Sequence, residues 1–243
     1  MLRFPSRHAP WLTARCLFCN THDRLMRQGG ILFPPSDLLP MARFNATASP
    51  PPDDPDVRLM LDFQKGDTLA FEALLRRHHR GVLNFTYRLV GRRDIAEELS
   101  HEAFIRVYQG AASYTPRSRF RTWLYTIAKN LSLNELRRRQ HQAGSLDELL
   151  MPEGGGPVKA LPDAQVLPPD AQMIRRERIA AIRAAIDTLP ENQRLAVVLR
   201  RYEQFSYEEI AATLNVTEKA VKSLLSRAKV HLRQRLAAWV EPG

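Results

Sequence analysis

The chain has 243 residues and a formal net charge of +10, long enough for one or two domains with real cores and basic enough to favour an acidic partner. No apolar run approaches the roughly 20 residues that span a bilayer, so no membrane insertion and a cytoplasmic location are expected. Two cysteines, Cys16 and Cys19, are too few for a disulfide framework.

Residues 1–55 read as a tail. They carry Pro5, Pro10, Pro34, Pro35 and Pro40, then the run Ser49–Asp56 (SPPPDDPD), without sustained periodicity. That composition suits an extended or disordered segment. Met41 precedes the proline run and is an alternative start to Met1. Cys16-x2-Cys19-x2-His22, with His8 upstream, has zinc-ligand types but no second pair to close a site. No metal or cofactor is therefore expected.

Helical periodicity begins at Asp56. Val57, Leu59, Met60, Leu61 and Phe63 predict a short helix ending near Gly66, and Asp67 is placed to cap a long one. Ala70, Phe71, Leu74, Leu75, Val82, Leu83 and Phe85 give that long helix its buried side, and Gly91 ends it. His78 and His79 are adjacent, so they point apart and read as solvated or partly packed. Asp94-x-x-Glu97 has the form of a capping box. The helix it opens buries Ile95, Leu99, Ala103 and Val107 and presents Glu97, Glu98, His101 and Glu102 on its other face. In so basic a chain, that acidic face is either ordinary solvated surface or a dock for a basic protein.

Residues 110–118 form a loop carrying Tyr114, Pro116 and Arg117. The following helix buries Phe120, Leu124, Ile127 and Leu131, with Trp123 and Ala128 widening the stripe. Its remaining surface carries Arg121, Tyr125, Lys129 and Asn130. From Arg117 to Arg139 there are seven cationic residues (117, 119, 121, 129, 137, 138, 139) against the single Glu135. Cations neutralise phosphates and exposed aromatic faces stack on unpaired bases, so this face suits a polyanion. Residues 141–174 lose periodicity and read as an acidic linker rich in Pro and Gly.

The last segment has the order of a helix-turn-helix. Ile179, Ile182 and Ile186 predict one helix, stopped at Leu189-Pro190, and Leu195, Val198 and Leu199 a second. Ser206-x-x-Glu209 is a capping box for a short helix, and Thr217 caps a long one with Val221, Leu224, Leu225, Ala228, Leu232 and Leu236 inward. Thr217, Lys219, Lys222, Ser223, Ser226 and Arg227 lie near the start of that final helix, the end that enters a major groove.

The chain resembles the extracytoplasmic-function (ECF) sigma factors of bacterial RNA polymerase. Ala96–Tyr108 is similar to the family's polymerase-docking helix, Phe120–Arg139 to its promoter-melting helix, and Leu189–Lys229 to its −35-reading domain. The resemblance implies an all-α fold: region 2 over 56–140, a linker over 141–174, and region 4 over 175–240. It implies a non-enzymatic specificity subunit with three partners: core RNA polymerase, promoter DNA and an anti-sigma factor or other regulator. Glu97, Glu98, His101 and Glu102 would meet core polymerase. Tyr114, Arg117, Arg119, Arg121, Trp123, Tyr125, Lys129 and Asn130 would hold the −10 strand. Thr217, Lys219, Lys222, Ser223, Ser226 and Arg227 would contact −35 duplex. His101 stands where the family usually has Gln, Leu224 where many members have Arg, and Ala220 where many have Thr. An autonomous helix-turn-helix regulator is the alternative; it fits less well because no ligand domain or dimerising heptad stretch is present. A metal-dependent nuclease would need a ligand cluster that the sequence does not assemble.

Overall fold

The computed structural model describes residues 54–143 and 169–239, and every described element is helical. The expectations for the N-terminal tail, its Cys16 and Cys19, and most of the linker lie outside the described residues. Helix α1 spans Pro55–Gln64, α2 Thr68–Val90, α3 Arg93–Gly110 and α4 Phe120–Ala143; α5 spans Pro169–Asp187, α6 Glu191–Arg201, α7 Tyr207–Leu214 and α8 Glu218–Arg235.

In the first bundle, α2 packs on α1, α3 and α4. Met60, Leu74, Phe85, Phe104, Phe120 and Leu124 are fully enclosed there. Asp67 accepts from the Leu69 amide at 3.0 Å, and Gly91 ends α2 in the left-handed region at φ 74°, where a side chain would be strained. The capping box predicted at Asp94 does not form. Arg92 occupies the cap position without a side-chain bond, so Asp94 lies inside the first turn. There its carboxylate favours the positive end of the helix dipole and pairs with Arg92, while Glu97 turns to Arg93.

His78 is buried, not solvated. Its Nε2 lies 2.8 Å from Asp56, whose other oxygen accepts from Arg77. Burial pushes the Asp56 carboxyl up, but these two partners outweigh it and hold the group below the usual aspartate value. The cluster ties α1 to α2.

In the second bundle both predicted caps are present. Ser206 accepts from the Glu209 amide at 3.1 Å while Glu209 accepts from the Ser206 amide at 2.7 Å. Asn215 turns the chain at φ 55°, and Thr217 accepts from the Ala220 amide at 3.2 Å. The inward stripe of α8 is narrower than expected. Val221 and Ala228 are buried, whereas Leu224, Leu225, Leu232 and Leu236 are only half-buried. Helices α5, α6 and α7 together cover only part of that stripe, whose last residue, Leu236, follows the end of α8.

The bundles also touch. Helix α7 packs on α4 and α6 on α2. Arg194 of α6 donates to the carbonyls of Arg88 at 2.9 Å and Leu89 at 2.5 Å. These are among the carbonyls that a helix end leaves without partners, where a cation is favoured by the dipole. Arg88 in turn lies over the Tyr202 ring at 4.0 Å.

Candidate nucleic-acid interface and docking face

Three sets of side chains were expected to act, and the structure treats them differently. On α3, Glu98 is exposed, while Glu97 and Glu102 make ion pairs with Arg93 and Arg106 on their own helix at 2.9 and 2.8 Å. Pairs of this kind contribute only about 0.3–0.5 kcal/mol each, so a basic partner can replace the arginines at little cost. His101 stacks on His79 with centroids 5.8 Å apart. Burial, then the neighbouring His79, pushes its pKa below the usual histidine value, against a smaller opposing pull from Glu97. The face therefore carries carboxylates around a half-buried imidazole pair.

On α8, Lys219, Lys222, Ser223, Ser226 and Arg227 are all exposed. Their spacing of three and four puts them on one face, opposite the buried Val221 and Ala228. Thr217 sits just before them with its hydroxyl oxygen engaged in the cap. Among the described residues, none covers this row.

The third set is divided. Tyr114 was expected on the surface and is buried, its ring 4.8 Å from Trp123 and 6.4 Å from Phe120. Gln64 explains the turn inward: its amide donates to the carbonyls of Ala111 at 2.6 Å and Tyr114 at 2.8 Å, pinning the loop against α1. The Tyr114 hydroxyl is enclosed without a hydrogen-bond partner, and burial pushes its pKa upward. Trp123 is half-buried beside it. Arg117 is exposed and Asn130 half-buried.

Tyr125 was also expected to be exposed, and it is buried at 2 % exposure. Its hydroxyl donates to Glu203 of the second bundle at 2.5 Å. Gly81 of α2 makes the approach possible, since a Cβ there would stand 2.6 Å from the phenol oxygen. Arg121 donates to the Glu203 carbonyl and lies 4.3 Å over the Phe205 ring. Lys129 donates to the Thr213 carbonyl at 2.8 Å, and burial pushes its ammonium pKa down. Arg119 and Arg137 approach Glu209 and Glu191 at 3.5 and 3.8 Å. The cationic side of α4 is thus present as read, but the second bundle covers much of it.

Sequence reasoning missed Glu203, Arg194 and Gly81. Only Gly81 left a signal, because a glycine inside a helical pattern often marks a close approach. Burial pushes the Glu203 carboxyl up, against the opposing pulls of Tyr125 and Arg121. Among the described residues, no group of three or more His, Cys, Asp or Glu is placed to hold a metal, and no helix is long and apolar enough to cross a membrane.

Residues 74–142 match the family model for sigma-70 region 2, and residues 179–232 match that for sigma-70 region 4. The chain is 37% identical over 191 residues to the ECF RNA polymerase sigma factor SigE of Mycolicibacterium smegmatis, covering 77% of this chain and 70% of that one. It is 32% identical over 178 residues to the RNA polymerase sigma-H factor of Pseudomonas aeruginosa, covering 72% and 90%. Among solved structures, the sigma factor RpoE of Bartonella quintana, in complex with the anti-sigma factor NepR, is 26% identical with a TM-score of 0.54. That match covers 69% of this chain and 96% of that one.

Proposed function

The chain belongs to the ECF sigma factors of RNA polymerase, promoter-recognising subunits, and on that premise we propose how its faces divide the work. Region 2, over 56–140, docks on core polymerase through Glu97, Glu98, His101 and Glu102 and captures the −10 strand along α4. Region 4, over 175–240, reads −35 duplex through Thr217, Lys219, Lys222, Ser223, Ser226 and Arg227. Residues 141–174 act as the tether between them. The protein acts in the cytoplasm, has no catalysis of its own, and is held in check by an anti-sigma factor, the class of partner named for the Bartonella relative.

The observation that carries this reading is the exposed row on α8, capped by Thr217 and facing away from the core of its own bundle. A regulator with such a helix binds duplex alone, whereas a sigma subunit binds and opens its promoter only with core polymerase. Arg227→Ala and Lys222→Ala are expected to weaken closed-complex formation on −35 duplex. Lys129→Ala is expected to leave that step intact and reduce permanganate reactivity at the −10 box. Full reactivity in Lys129→Ala would remove the strand-capture role. Tight, specific duplex binding by the chain alone would favour the regulator reading.

A further inference from the structure

The contact between the two bundles has a chemical pattern of its own. The polar donors on the cationic face of α4 meet the carboxylates of Glu191, Glu203 and Glu209 and the main-chain carbonyls of Glu203 and Thr213, with the Phe205 ring stacked under Arg121. Phosphates and base edges would present the same kind of acceptor to the same donors. We propose that in the free chain region 4 stands in for the promoter strand, seating its acidic edge on α4 and keeping the melting face shut. This rests on the strand-capture reading of α4 given above.

The contributions are unequal. Arg119–Glu209 and Arg137–Glu191 are long pairs whose arginines are more than half exposed, and such pairs are weak and screened by salt. Glu203 differs, being buried and hydrogen-bonded to Tyr125, with Arg121 beside it. Removing one partner from a buried set leaves the others unsatisfied, so Glu203 is the latch.

Closure masks only one DNA face. Lys219, Lys222, Ser223, Ser226 and Arg227 stay exposed while Tyr125, Arg121 and Lys129 are engaged. The acidic edge of α3 is also left uncovered, with Glu98 exposed. The closed chain can therefore meet polymerase, or −35 duplex, before the strand-capturing face is released.

The test uses the full chain with Cys16 and Cys19 changed to Ser and spin labels at Gln109→Cys and Gln234→Cys. The parent is expected to give a narrow distance distribution by pulsed electron resonance. Glu203→Lys, which sets a cation against Arg121, should broaden it toward longer distances, and Glu203→Gln should do so partly. In parallel, a fluorescent mixed-sequence single-stranded DNA 12-mer should bind Glu203→Lys about tenfold tighter than the parent, as when a parent open about one tenth of the time is released. Unchanged helicity by circular dichroism confirms that Glu203→Lys still folds, and Glu203→Gln carries the test if it does not. A broad, long distribution in the parent, or an unchanged narrow one in both Glu203 variants, would overturn closure by this latch. If the distances lengthen but strand affinity stays level, the masking claim is overturned. Adding Lys129→Ala to the opened variant then isolates the underlying reading: a gain in affinity that survives this change would place strand binding elsewhere.

Discussion

Gly81→Ala separates the stability of region 2 from the closure of the two bundles. In a helix interior, alanine is favoured over glycine by roughly 0.5–1 kcal/mol, so region 2 alone should gain. In the closed chain, however, the new Cβ would stand 2.6 Å from the Tyr125 hydroxyl, which is itself 2.5 Å from Glu203. Ordinary contact needs about an ångström more, and the ring cannot retreat without leaving the carboxylate. Overpacking of this sort costs about 1–3 kcal/mol, and a hydrogen bond to a charged group contributes about 1.5–3 kcal/mol. With the bundles apart Tyr125 can turn outward and neither cost applies. The closed-to-open ratio should therefore fall by about tenfold or more, the equivalent of roughly 1.4 kcal/mol. The Gln109–Gln234 label distance is expected to lengthen in Gly81→Ala. Tyr125→Phe removes the clashing oxygen, so the double variant should be less open than the two single effects predict, a coupling read from the double-mutant cycle. An unchanged distance together with a lowered melting temperature would refute the reasoning, because the strain would then have been absorbed inside region 2.

Tyr114→Phe should raise stability by about 1 kcal/mol, since it removes an enclosed hydroxyl that has no partner; a lower urea midpoint would show that the hydroxyl is satisfied in solution. The folded-state pKa of His101 is depressed below 6.5, so its contribution to stability is full above pH 6.5 and is lost as pH falls through the folded value. The melting temperature of His101→Gln should accordingly gain on the parent between pH 7 and pH 5, and a constant gap would refute the assignment. Glu98→Lys with Glu102→Lys should weaken binding to core polymerase while leaving the fold intact, because reversing charge on an exposed face costs complementarity rather than packing. Unchanged affinity in a core-binding assay would remove the docking role from α3.

Much of this protein is local, and what is local was legible in the chain. The caps at Asp67, Ser206 and Thr217, and the stop at Gly91, involve residues only two to four positions apart. Their chemistry is decided before any helix meets another. The row from Lys219 to Arg227 was readable for the same reason, since spacing along one helix fixes which side chains share a face. Asp94 marks the limit of that reasoning: a shift of one or two residues in where the helix starts turned a predicted cap into an ion pair with Arg92. Tertiary structure decided what covers an exposed-looking face. Tyr125 and Lys129 sit on the polar side of α4 by spacing, yet Glu203 and Thr213, 78 and 84 positions away, enclose them. Periodicity reports which side of a helix faces its own core. It carries no information about a second surface of opposite charge arriving from a distant part of the chain, and that arrival decides which of these side chains stay exposed.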